Sequence, residues 1–132
     1  MPIREDMQIQ DARDKIGTEH SSELIEKVCN ICDLNENSLF IDLGANIGQQ
    51  VDYLCKKKIE TIAFEPHPII YDVLFANYGE NKNVTCHRSA AWIENCSREF
   101  YFKHMPDAIN GGASLIQEKI NVIRDRFFTV EC

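Results

Sequence analysis

The 132-residue chain reads as a succession of short apolar segments with alternating helical and extended periodicity, separated by polar turns. Residues 1–19 are polar and charged with little periodicity, and read as an N-terminal arm or cap before a domain spanning 20–132. Leu24, Ile25, Val28, Ile31 and Cys32 then recur at helical spacing, which predicts an amphipathic helix from Ser21 or Ser22 to about Leu34. Asn35-Glu36-Asn37 is the turn after it. The continuous run Leu39-Phe40-Ile41 predicts a strand over 38–43, of the kind buried on both faces. A helix is expected over 47–58 and a second strand over 60–65. Pro68 suits the first turn of the next helix, whose apolar positions are Ile69, Ile70, Val73, Leu74 and Tyr78, with Gly79 at its end. A third strand near 83–91 and a fourth extended segment over 98–103 flank the turn at Glu94–Ser97. Residues 104–114 read as a loop, followed by a helix at roughly 115–125.

This alternation of helices and strands predicts a parallel sheet of Rossmann-like α/β type. Strand one should lie beside strand two, with its other edge left for a strand that the sequence does not contain. An edge of unpaired N–H and C=O groups is an association hazard. It points either to a piece of a larger protein or to a partner-dependent dimer.

Composition narrows the class. A hydrophobic content of 44% suits one modest core, and a net charge of −7 offers no basic surface for nucleic acid or anionic membrane. With no secretory leader or spanning segment evident, the cytoplasm is the expected compartment. The six cysteines are then expected as reduced thiols. Cys29-x-x-Cys32 lies within the first helical stripe and lacks a second pair or nearby histidines, so a structural role outweighs a metal or redox one. Cys86 and His87, adjacent on a strand, point to opposite faces. No metal site is expected.

The segment with the most chemistry is Ser38–Gly48. An apolar run reaches Asp42 and then a turn with Gly44 and Gly48. A second apolar run ends at Glu65, twenty-one residues after Gly44. Strand, tight turn, helix, strand and terminal acid form the first half of a nucleotide-type site. Gly44 suits the turn, and Gly48 suits close contact of the helix with ligand or sheet. The helix N-terminus offers N–H groups, and Glu65 can accept hydrogen bonds from a ribose diol. Dinucleotide sites use G-x-G-x-x-G, whereas here Asn46 falls where the middle glycine would be and Asp42 precedes the turn. A carboxylate is a poor neighbour for pyrophosphate and a good one for an ammonium group. The pattern therefore favours S-adenosylmethionine over NAD as the cofactor.

Phe40-Ile41-Asp42-Leu43-Gly44-Ala45-Asn46-Ile47-Gly48-Gln49, Ala63-Phe64-Glu65-Pro66-His67-Pro68 and Gly111-Gly112-Ala113-Ser114-Leu115 together resemble the FkbM-type family of S-adenosylmethionine-dependent methyltransferases. The similarity runs from about residue 37 onward. It implies a class I Rossmann-like fold and O-methylation of a hydroxyl on a sugar or other small-molecule or glycan acceptor. It also implies donor-binding roles for Asp42, Gly44, Asn46, Gly48 and Glu65. In this class Pro66 and His67 would shape the adenosine pocket, while Ser89 and Ala90 would leave room for adenine. Trp92 could border the adenine or serve the core or an interface. His104, in the loop before Gly111, is the candidate general base, set against an ordinary solvated histidine.

The chain departs from the family in lacking its Lys-x-Asp-x-Glu-Gly-type segment. Phe127–Cys132 reads as an element cut short, so the donor-binding half is expected without the acceptor-binding half. The alternative reading is accordingly a truncated, non-catalytic module that binds S-adenosylmethionine or a partner.

Overall fold

In a computed structural model, the structure describes residues 19–102 and 126–132. The elements are α1 (Glu19–Ile31), β1 (Leu39–Leu43), α2 (Gln49–Lys56), β2 (Glu60–Phe64), α3 (Pro68–Tyr78), β3 (Val84–His87), β4 (Ser97–Phe102) and β5 (Arg126–Glu131). The expected loop over 104–114 and helix over 115–125 lie outside the described residues, as does the arm up to residue 18.

β1, β2 and β3 form a parallel sheet in that order, with Ile41 opposite Ile62 and Ala63 opposite Cys86. The fold is Rossmann-like α/β. Two successive right-handed crossovers that step the same way along a sheet place both helices on the same face. Phe40, Asp42, Thr61, Ala63, Val84 and Cys86 point to that face by strand alternation. Val51, Ala63, Leu74, Tyr78 and Val84 form one buried cluster there. Ile25, Cys29, Leu54 and Ile59, with Phe40 partly buried against them, form another that ties α1 to α2 and the sheet.

The opposite face corrects the expectation that β1 is buried on both sides. Among the described residues nothing covers Leu39, Ile41 and Leu43, and Ile41 is 56% exposed. The run of apolar residues is real, but all three described helices pack on the other face. β1 is also an edge strand among the described residues.

The buried stripe of α1 is displaced from the expected one. It runs through Ile25 and Cys29, while Leu24, Ile31 and Cys32 are exposed. Positions i and i+4 stack on one face of a helix, and here the face over α2 selects Ile25 and Cys29. Cys29 acts as a small core hydrophobe, and burial pushes its thiol pKa upward.

Residues 126–131 belong to a second sheet. They form a strand, which the sequence did not assign, that pairs antiparallel with β4, Phe100 opposite Phe128 and Ser97 opposite Glu131. The resulting two-stranded ribbon is anchored to the end of β3 by the Ala90 N–H, which donates to the Glu131 carbonyl at 2.8 Å.

Leu54 is fully buried between α1 and the sheet, whereas Ile31 is 84% exposed. Leu54→Ala is therefore expected to cost about 3 kcal/mol, within the range for large-to-small core changes. Ile31→Ala should stay within about 0.5 kcal/mol. Urea unfolding of both variants checks the assignment of the helix face.

Candidate functional site

The carboxyl ends of three parallel strands converge where each chain segment leaves the sheet. After β1 the chain passes through Gly44 at φ 89°, Asn46 at φ 54° and Gly48 at φ 97°. Three left-handed residues in five make a tight loop. Asparagine is among the few residues with a side chain that adopt this region readily. The Asn46 side-chain oxygen accepts a hydrogen bond from the Ile47 N–H at 2.8 Å, and the Gly48 N–H closes a turn onto the Ala45 carbonyl at 3.0 Å. The start of the loop is fixed to β2, since the Gly44 and Ala45 N–H groups both donate to the Phe64 carbonyl at 2.9 Å.

The two glycines serve different purposes. A Cβ at Gly48 would run into the Tyr78 ring and lie 3.1 Å from Leu74 Cδ1, so this glycine lets the start of α2 pack on α3. At Gly44 a Cβ would meet nothing within 4 Å. Its backbone faces open space, which is where a ligand could lie against the loop.

Glu65 is 5% exposed, and both its oxygens are engaged. Oε2 accepts from the Asn46 N–H at 2.9 Å, and Oε1 accepts from the His67 N–H at 2.8 Å. The side chain thus joins the glycine loop after β1 to the turn between β2 and α3. Burial pushes its pKa up, the two backbone donors pull it down, and the nearby Asp42 carboxyl pushes it up again. A carboxylate has about four lone-pair sites, so two remain for a ligand.

Asp42 is 7% exposed, and its Oδ2 is buried with no hydrogen-bond partner among the described residues. Burial alone raises its pKa. A partnerless buried carboxylate is costly, and a cation or hydrogen-bond donor arriving from outside would relieve that cost.

The other expected residues fall around this pair. Pro66 is buried, and His67 is buried at the N-cap of α3, where its carbonyl accepts from the Tyr71 N–H at 2.8 Å. Burial lowers the His67 pKa, which favours the neutral imidazole. The Glu65 N–H donates to the His87 carbonyl at 3.0 Å, and this brings the chain after β3 alongside. Ser89 and Ala90 are half-buried there. Trp92, for which the sequence left an adenine-border and a core or interface role open, receives the Arg98 guanidinium of β4 over its ring, 4.3 Å from the centroid. His104 and the Gly111–Leu115 segment lie outside the described residues. The extended segment at 98–103 was expected and corresponds to β4, but β5 and its pairing with β4 were missed, because pairing across the intervening residues leaves no local signal.

No protein-family model matches the sequence. Among curated proteins, the chain is similar to methyltransferase sdnD of Sordaria araneosa, with 32% identity over a 100-residue alignment. The likeness is to a methyltransferase. The alignment covers 70% of this chain but only 36% of the relative's length. Among the described residues, no helix is long and apolar enough to cross a membrane.

Two outcomes follow from this geometry. An acid whose folded pKa is raised above its unfolded value of about 3.9 costs stability as pH climbs through the folded value. Asp42→Asn removes that cost and should raise the melting temperature at pH 7.5 by about 4 °C, equivalent to about 1 kcal/mol. The gain should vanish near pH 4, and calorimetric melts across pH 4–8 measure it. Gly48→Ala should cost about 2–4 kcal/mol, combining backbone strain with the collision against Tyr78. Gly44→Ala should cost only the strain, about 1–2 kcal/mol. Denaturant midpoints of the two variants give the comparison.

Proposed function

We propose that the chain carries the methyl-donor site of an S-adenosylmethionine-dependent methyltransferase of FkbM type that acts on a hydroxyl acceptor such as a sugar. The observation that carries this reading is Asp42, a buried carboxylate without a partner among the described residues, next to the open backbone of Gly44. The site suits a ligand that combines an ammonium group with a ribose. Asp42 would receive the ammonium end, and the spare lone pairs of Glu65 would accept the ribose hydroxyls. The small residues Ser89 and Ala90 leave space for a base beyond them. S-adenosylmethionine supplies an electrophilic methyl group on its sulfonium. What this chain supplies is orientation, by a loop that Glu65 holds in place, and a negative surround for the positively charged donor.

The same features disfavour a nicotinamide dinucleotide. The Asp42 carboxyl beside the glycine loop opposes a pyrophosphate, and the loop lacks the middle glycine that would admit one. The likeness to a methyltransferase supports the same reading. The acceptor's hydroxyl chemistry rests on the family resemblance of Phe40–Gln49 and Ala63–Pro68.

Titration calorimetry with S-adenosylhomocysteine and, separately, with adenosine tests the assignment of Asp42. Asp42→Asn should weaken S-adenosylhomocysteine by about 10- to 100-fold, the worth of a hydrogen bond to a charged group. Adenosine, which has no ammonium, should bind both proteins alike. Equal weakening of the two ligands would remove Asp42 from the ammonium site, and stronger competition by NADH would overturn the donor reading itself. Glu65→Ala is a poor probe here because it also frees two backbone N–H groups that hold the loop.

A further inference from the structure

The β4–β5 ribbon brings together two cysteines that the donor site does not use. Ser97 pairs with Glu131, so Cys96 and Cys132 are the next directly opposed positions of the ladder. The Cys132 N–H donates to the Cys96 carbonyl at 2.9 Å, which extends the pairing to them. Directly opposed residues in an antiparallel ladder project from the same face. Ser97 and Glu131 show the rule on the opposite face, where the serine hydroxyl donates to the glutamate Oε1 at 2.8 Å. On the cysteine face the Cys96 thiol lies close enough to Cys132 to bear on its ionisation. Hydrogen-bonded cross-strand pairs have Cα atoms about 5.5 Å apart, inside the roughly 4.4–6.8 Å span that a disulfide needs. Both residues are half-buried and in the thiol form.

We propose that Cys96 and Cys132 form a reversible dithiol–disulfide site that locks the β4–β5 ribbon against the loop carrying Ser89 and Ala90. The link to that loop is one residue away, since the Glu131 carbonyl accepts the Ala90 N–H. The co-reactant is a low-molecular-weight disulfide such as glutathione disulfide. One cysteine thiolate attacks a glutathione sulfur, forming a mixed disulfide and releasing one glutathione. The second cysteine thiolate then attacks the protein sulfur of that mixed disulfide, forming the Cys96–Cys132 bond and releasing the second glutathione. Two thiols are oxidised, the glutathione disulfide bond is reduced, and the two protons lost by the cysteines end on glutathione. Burial and the neighbouring Cys96 thiol both raise the Cys132 pKa, so closure should speed up from pH 7 to pH 9. The site does not depend on the donor reading, because no step in it involves the donor ligand.

The test incubates the whole chain with glutathione disulfide and counts thiols under denaturing conditions. The count should fall from six to four, with a loss of about 2 Da and a Cys96–Cys132 cross-linked peptide in a non-reducing digest. Hydrogen exchange at the Ala90 amide should slow, and dithiothreitol should reverse all three changes. Cys96→Ser and Cys132→Ser should abolish the slowing, while Cys32→Ser should preserve it. Retention of all six thiols, a glutathione adduct that never closes, or a cross-link to another cysteine would overturn the proposal. The wild-type digest decides the matter even if a serine variant does not fold.

Discussion

The carboxylate of Glu65 is the tie on which the site depends. A parallel sheet leaves its strand ends as separate loops, and here backbone bonds tie only the first residues of the glycine loop, Gly44 and Ala45, to the end of β2. Glu65 closes that gap by accepting the Asn46 N–H from one side and the His67 N–H from the other. The glycine loop after β1 and the entry to α3 therefore move as one body. Hydrogen bonds to a charged acceptor are worth more than neutral ones, which offsets part of the cost of burying the charge. Asp42 works in the other direction. Its carboxyl adds an upward push to the Glu65 pKa and lacks a partner among the described residues. The result is a rigid frame around an uncompensated negative centre.

The sheet gives that frame a sidedness. Helices α1, α2 and α3 all cover the face of Phe40, Thr61 and Ala63, while Leu39, Ile41 and Leu43 line the other. Three large aliphatic side chains on alternate positions of β1 form a contiguous apolar stripe beside a sheet edge that no other described strand pairs with. Both features favour further structure on that side and along that edge. The strand that presents the stripe also carries Asp42. Whatever covers it would also bear on the orientation of the acid.

Much of this was legible in the sequence where the cause is local. Strand, turn and helix around Gly44 and Gly48 are set by a few adjacent residues, and the distance to Glu65 is that of one crossover unit. Asp42, Glu65 and the glycines consequently lie together as expected. Burial on one face rather than two was not legible, because an apolar run such as Leu39-Phe40-Ile41 looks the same in either case. The second role of Glu65 was hidden for another reason: a carboxylate that ties two backbone loops has the same sequence position as one reserved for a ligand. The β4–β5 ribbon, and with it the Cys96–Cys132 pair, depends on pairing across 23 intervening residues, which no periodicity reports.

The opposed roles of the two acids explain why the site tolerates its own cost. If Glu65 alone were buried, its two backbone donors would largely satisfy it and the pocket would have little appetite for a cation. If Asp42 alone were present, the loop would lack its tie and a ligand would have to order it on binding. With both, the ordering is done at folding by Glu65, and the unfavourable electrostatics are left at Asp42 for a ligand to relieve. On the proposed donor-site reading, that division would convert instability of the free site into selectivity for a positive group. A neutral hydrogen-bond donor would relieve less of that cost than a cation, and an anion none.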